Sequence, residues 1–236
     1  MVWLGALGGD VRFAFTSRDA GFSAPPFDEL NLSFDVGDDA AVVTRNRAHV
    51  LERLGVAGAI WLRAQHGRDV HLTAEPDAVL QGDGLVTTAA GLGLAALSAD
   101  CALVVLADPA AGVIGCLHCG RQGLVAGVVD ATVAVMREQG AQSIRAAIGP
   151  TICGTCYEVS ADMAASVAAA VPAAAARSSN GNPSLDIRAG VLAQLTNAHV
   201  RTVRLVGGCT LEDPATFSYR RDHITGRMGA FVWRAA

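Results

Sequence analysis

The chain has 236 residues, enough to bury one substantial core, and a formal net charge of −4, which argues against nucleic acid or an anionic membrane surface as a partner. No apolar run reaches the length of a membrane span and the N-terminus lacks the charged region of a signal peptide, so the chain reads as a soluble cytoplasmic protein. Its six cysteines, at 101, 116, 119, 153, 156 and 209, follow no small-scaffold spacing and read as reduced thiols.

In chain order, Val11-Arg-Phe-Ala-Phe-Thr alternates with period two and reads as a half-buried strand, followed by a loop from Ser17 to Pro26. A helix capped by Asp38 or Asp39 carries Val42, Val43, Val50, Leu51 and Leu54 on its apolar face and ends at Gly55. Arg45 and Arg47 read as solvated charges of that helix. Trp61-Leu-Arg-Ala-Gln-His-Gly is an apolar run ending in His66, with a glycine after it that lets another backbone or a ligand approach. Val70–Thr73 reads as a strand, and Gly82-Asp-Gly as a tight turn in which Asp83 is a turn residue first and a functional acid second.

Ser98 to Gly123 organises the rest. Two apolar strands, Leu103–Ala107 and Val113–Leu117, flank a turn at Asp108-Pro109. Paired as an antiparallel hairpin, they bring Cys101, before the first strand, beside His118, at the end of the second. Buried thiols are ordinary core residues, but His66 supplies a third residue of zinc-ligand type at a strand end. Two histidines and one cysteine match the three-ligand, open site of a catalytic zinc.

Beyond Gly123, Leu124, Val125, Val128, Val129, Val133 and Met136 recur at helical spacing. Further on, the sequence predicts a strand over Ile144–Ile148, a helix over Ala161–Ala176, a loop over Arg177–Pro183, a helix over Leu185–Leu195 and strands over Val200–Val206 and Ala230–Trp233. Cys153 and Cys156 form a C-x-x-C, but no second pair completes a zinc ribbon and no thioredoxin-like unit surrounds it. Arg220, Arg221 and Arg227 cluster in an acidic chain and are candidates for an anion site. Strands scattered among helices without a βαβ rhythm place the chain in the α+β class, as a single mixed domain over 1–236.

Taken together, Asp35-Val-Gly-Asp-Asp with Asn46-Arg47, Gln65-His-Gly, Asp83-Gly-Leu-Val-Thr, Ala99-Asp-Cys, Gly115-Cys-Leu-His-Cys-Gly, Ile148-Gly-Pro with Cys156-Tyr-Glu-Val, Cys209-Thr and Ser218-Tyr-Arg-Arg resemble the bacterial multicopper polyphenol oxidoreductase laccase family. Members of that family are also described as zinc-dependent purine nucleoside phosphorylases with adenosine deaminase activity. The resemblance runs from about Ser17 to Trp233. It implies an αββα-layered domain, a zinc on His66, Cys101 and His118, and purine nucleoside and phosphate as small-molecule partners. One segment departs from the family, which commonly has His-Ala-Gly-Trp-Arg-Gly where this chain has His118-Cys-Gly-Arg-Gln-Gly. Either Arg121 replaces the family arginine from one position earlier, or activity is weakened.

A four-copper oxidase needs about ten histidines, mostly in His-x-His pairs. This chain has six, at 49, 66, 71, 118, 199 and 223, and no such pair, so copper is expected only as an adventitious occupant of the zinc site. In the implied chemistry a carboxyl carries the proton, with Asp100 and Glu158 as candidates, while Arg220, Arg221 and the helix starting near Gly123 hold phosphate. Two alternatives remain open at this point. One is a metal-free hydrolase with Cys101 as nucleophile and His118 as base, on a fold that the family shares with toxins using such a dyad. The other is a non-catalytic zinc-binding protein whose site has decayed.

Overall fold

The computed structural model describes residues 2–76, 78–200 and 202–235. Its first half holds β1 (Val2–Gly8), β2 (Val11–Thr16), α1 (Ala40–Leu54), β3 (Ala59–Ala64), β4 (Val70–Leu72), β5 (Val79–Gly82), β6 (Gly84–Thr87), β7 (Gly93–Ser98), β8 (Ala102–Asp108) and β9 (Val113–Cys119). The second half holds α2 (Arg121–Ala126), α3 (Val128–Glu138), β10 (Arg145–Ile148), α4 (Ala161–Ala170), β11 (Ala175–Arg177), β12 (Pro183–Leu185), α5 (Ile187–Asn197), β13 (Thr202–Leu205), α6 (Tyr219–Asp222) and β14 (Met228–Arg234). Two six-stranded mixed sheets form, in the orders β1-β2-β14-β7-β3-β5 and β13-β10-β8-β9-β6-β4.

The layering follows from strands that are apolar on both faces. Along β8, Leu103, Val105 and Ala107 enter the core between the sheets with Phe13, Phe15, Ile60 and Val232. Ala102, Val104 and Leu106 face the other way, into a core shared with α2, α3 and α5 through Leu124, Val133 and Val191. The outer face of the first sheet packs Trp61, Phe231 and Trp233 against Val50 of α1. Successive side chains of a strand point to opposite faces, so a near-continuous apolar run marks a strand covered on both sides. The result is the expected αββα arrangement of an α+β domain.

The hairpin registers as anticipated: Ala102 opposes Cys119 and Leu103 opposes His118. Asp108 ends β8 and does more than turn the chain. Its Oδ1 accepts from the amides of Ala110 and Ala111 at 3.1 and 3.3 Å, and its Oδ2 from those of Gln142 and Ser143, both at 2.7 Å. Burial would raise this carboxyl, but four amide donors hold it below the ordinary carboxylate range. Its stabilisation is therefore full above the unfolded value of about 4 and is lost as the pH falls through the lower folded value. Asp108→Asn should cost about 1–3 kcal/mol at neutral pH and flatten the acid limb of the melting curve, read by thermal unfolding across pH. An acid limb as steep as that of the wild type would show that Asp108 does not contribute to it.

Several predicted elements are redrawn. The apolar face after Gly123 belongs to two helices, which start at Arg121 and break at Gly127, where φ is 84°. The alanine-rich helix stops at Ala170, because Pro172 has no amide to continue it and opens a 3-10 turn before β11. Arg177–Pro183 joins β11 to β12 as a hairpin connection, and α5 begins two residues later than expected, with the Asp186 carboxylate accepting from the Ala189 amide. The predicted strand Val200–Val206 is β13 at Thr202–Leu205; Arg201 lies outside the described residues. Arg47 is not a solvated charge. Its guanidinium stacks 3.8 Å over Trp61 and donates to the Leu32 carbonyl, and burial brings it down to about 10.

Candidate active site

Three times the chain leaves the first sheet for the second, at the same end of the sandwich: between β3 and β4, between β5 and β6, and between β7 and β8. Each crossing carries a polar residue of the site. The first holds His66, the second is the single residue Asp83, and the third is Ala99 to Cys101. His118, near the end of β9, completes the group. His66 and Asp100 both adopt left-handed backbone conformations, with φ of 61° and 94°, an uncommon geometry for residues with a side chain.

The ligand-type atoms of His66, Cys101 and His118 lie within 4.8 Å of one another. The two imidazoles meet edge to face, with ring centroids 4.8 Å apart. Gly120 leaves room for them, since a Cβ there would come within 3.0 Å of both Cys101 Sγ and the His66 ring. His118 is buried and Cys101 partly so, while His66 is exposed, so the group opens to solvent on one side.

Asp83 is fully buried and organises this cluster. Its carboxylate accepts from the amides of Gln65, His66 and Gly67 at 3.3, 3.0 and 2.6 Å, and pairs with His118 Nδ1 at 2.9 Å. Its carbonyl also takes the His118 amide. The turn residue of the sequence reading is therefore the group that fixes one histidine directly and the other through its backbone. Burial would raise the Asp83 carboxyl, yet His118 and the Gly67 and His66 amides bring it below its ordinary value.

With Nδ1 committed to Asp83, His118 has Nε2 left for the site. Burial would raise the Cys101 thiol, but His118 and His66 outweigh it and lower it to about 6. Burial would conversely lower His118, and the Cys101 and Asp83 charges instead lift it to about 9. A thiolate and two imidazoles, one oriented by a carboxylate, form a donor set that fits zinc.

Two cavities meet at Cys101. The larger, about 560 Å³, is lined by His66, His118, Asp35, Arg63, Tyr219 and Arg227 among others. The smaller, about 240 Å³, is bordered by Asp100, Gly120, Arg121, Tyr157, Tyr219 and Arg220. Arg220 lies over the Tyr157 ring, 4.9 Å from its centroid, and Arg121 acts on the same phenol. Gln122 is exposed and Cys119 is buried, so of the three departing residues it is Arg121 that borders one of these cavities.

Arg221 does not join them. Its guanidinium is spent on the Asp222 carboxylate and on the carbonyls of Thr210, Leu211, Asp213 and Thr216, which brace its loop. The two carboxylates are likewise separated. Asp100 borders the smaller cavity and accepts from Thr210 Oγ1 at 2.6 Å and the Arg220 amide at 2.7 Å. Glu158 borders neither of these two cavities; its carboxylate accepts from Asn182, and its carbonyl from Arg220. The other histidines are dispersed: His49 packs on Phe22, His71 meets the Gln81 carbonyl, His199 donates its amide to the Thr196 carbonyl after α5, and His223 packs on Tyr219.

The family described as multi-copper polyphenol oxidoreductase laccase matches residues 12–235. The chain belongs to this family. A Streptomyces griseus protein named purine nucleoside phosphorylase ORF3 is 48% identical, over 95% of each chain. The Shigella flexneri purine nucleoside phosphorylase YfiH is 37% identical, covering 94% of this chain and 93% of its own. Among solved structures, YlmD from Geobacillus stearothermophilus superposes with a TM-score of 0.89 at 30% identity, over 97% of this chain and 93% of that one. No helix among the described residues is long and apolar enough to cross a membrane.

Proposed function

We propose that this chain is a zinc-dependent purine nucleoside phosphorylase that also deaminates adenosine. The observation that carries the reading is the convergence of His66, Cys101 and His118 where two unlike cavities meet. The larger has the volume of an ordinary small-molecule site. The smaller presents Arg121 and Arg220, whose planar forks suit phosphate. The names of the relatives agree with this division.

A zinc held by His66, Cys101 and His118 would supply Lewis acidity at the junction of the cavities. Asp83 keeps His118 in one orientation and one tautomer. Arg121 and Arg220 hold phosphate so that one of its oxygens bonds to the anomeric carbon of the ribose while the glycosidic bond breaks. The purine leaves with that electron pair and takes up a proton. In deamination a water oxygen adds to C6 and ammonia departs. Asp100 borders the site and Glu158 does not, so Asp100 is the carboxylate assigned to carry the proton in both reactions. Copper, which binds the same donors more tightly, would be an adventitious occupant.

The test is chromatography of the products formed from adenosine and phosphate, with a chelator-stripped sample alongside. Adenine with ribose 1-phosphate, or inosine, formed only by the zinc-replete protein is the expected result. Turnover that survives complete removal of metal would favour a second reading, a thiol enzyme. That reading rests on one observation, the lowered Cys101 thiol beside an imidazole that is itself held by Asp83. Folded, zinc-replete protein that leaves adenosine unchanged would overturn both activities proposed here.

A further inference from the structure

A second group of metal-ligand side chains lies apart from the site above. Cys153 and Cys156 end a tight turn, in which the amides of Cys156 and Tyr157 both donate to the Cys153 carbonyl at 3.0 Å. As a bare C-x-x-C this turn lacked partners. The fold supplies them from the loop after β13, where Cys209 and Glu212 face it. The Cys153 amide donates to Cys209 Sγ at 3.3 Å, and Cys156 Sγ donates to Glu212 Oε1 at 3.3 Å. One donor atom from each of the four residues lies within 4.8 Å of all the others. A tetrahedron built on zinc–sulfur bonds of about 2.3 Å has edges of about 3.8 Å, so only a small contraction separates this cluster from that geometry. Arg188, whose guanidinium donates to the carbonyls of Gly149, Gly207 and Gly208, places a positive charge behind it.

We propose that Cys153, Cys156, Cys209 and Glu212 form a second, closed metal site that takes a thiolate-seeking divalent ion of the zinc class. Thiolate donors disfavour magnesium and calcium, and four protein donors leave no position open for substrate, which is the pattern of a structural ion. The thiols release their protons to solvent as the ion enters. The site would tie a loop that walls the smaller cavity to a second loop that holds Asp100 from behind. One carries Ile152, whose amide donates to the Asp100 carbonyl, and Tyr157; the other carries Thr210, whose hydroxyl donates to the Asp100 carboxylate. Its role is to hold Tyr157 and Asp100 in place.

Zinc content of the full chain, measured by elemental mass spectrometry, is expected at about two per molecule, falling to about one in Cys153→Ser/Cys209→Ser. Cobalt substitution separates this site from the first. A Cys101→Ser/His118→Ala protein should keep a thiolate-to-cobalt absorption band that disappears when Cys153→Ser and Cys209→Ser are added, whatever the fate of nucleoside turnover. Glu212→Gln, which preserves shape, should weaken zinc binding at least about tenfold in competition with a chromophoric chelator, and reads the site if the cysteine variants do not fold. Unchanged zinc content in the cysteine variant or unchanged affinity in Glu212→Gln would overturn the proposal. So would a non-reduced mass showing these cysteines joined as a disulfide, with no cobalt band.

Discussion

Cys101→Ser should lower phosphorolysis of adenosine by at least about 10³-fold, or about 4 kcal/mol of transition-state stabilisation. Serine is close in size but a poor zinc ligand at neutral pH, so the loss should be accompanied by loss of one metal ion and not by unfolding. Alkylation provides an independent readout. With metal bound, Cys101 should resist iodoacetamide. Once the protein is stripped, its rate of modification should rise as the pH passes through about 6, where the thiol ionises beside His118 and His66, and level off above. The sign follows from the thiolate being the reactive form. Wild-type turnover in Cys101→Ser would remove both zinc and thiol chemistry from this residue.

Asp83→Ala should produce the second large effect, on stability and on the site together. The carboxylate is fully buried and satisfies three amides and one imidazole, so its removal leaves the buried His118 imidazole and three part-buried amides without their acceptor. Such losses amount to about 3–5 kcal/mol. In Asp83→Asn, a single amide oxygen replaces the carboxylate and an NH₂ group is turned on the amide donors. That protein should fold, with zinc bound about 10–100-fold more weakly. Calorimetric unfolding separates the first effect from the second, and chelator competition reads the second alone. An Asp83→Asn protein with unaltered zinc affinity would reduce Asp83 to a turn residue after all.

Much of this arrangement was legible in the sequence, for identifiable reasons. Cys101 and His118 could be placed side by side because a short turn at Asp108-Pro109 sets the register of the hairpin that separates them. The αββα layering was implied by the family resemblance, and the fold gives its physical reason, since β8 and β9 bury apolar side chains on both faces. Asp83 was legible as a turn because glycines flank it; its role was not, because it depends on β6 lying beside β9, a contact between residues far apart in the chain. The same holds for Cys209 and Glu212 opposite Cys153 and Cys156. Arg220 and Arg221 are neighbours of the same type, and only the fold separates them: one reaches the cavity beside Tyr157 and the other is used up on carbonyls. Arg47 was misjudged because helical position alone does not reveal that Trp61 and Phe34 lie over its guanidinium.

The three sheet crossings have a mechanical consequence. His66, Asp83 and Cys101 stand on the joints between the layers, whereas His118 is carried by β9 of the second sheet alone. If one sheet slipped along the other by a single residue, the joints would shift by about 3.3 Å against that fixed histidine. The spacing of the ligand triangle is thus a gauge of how the two sheets lie on each other. A change of packing deep between them would reach the reacting centre as sideways displacement, loading first the Asp83–His118 contact that spans joint and strand.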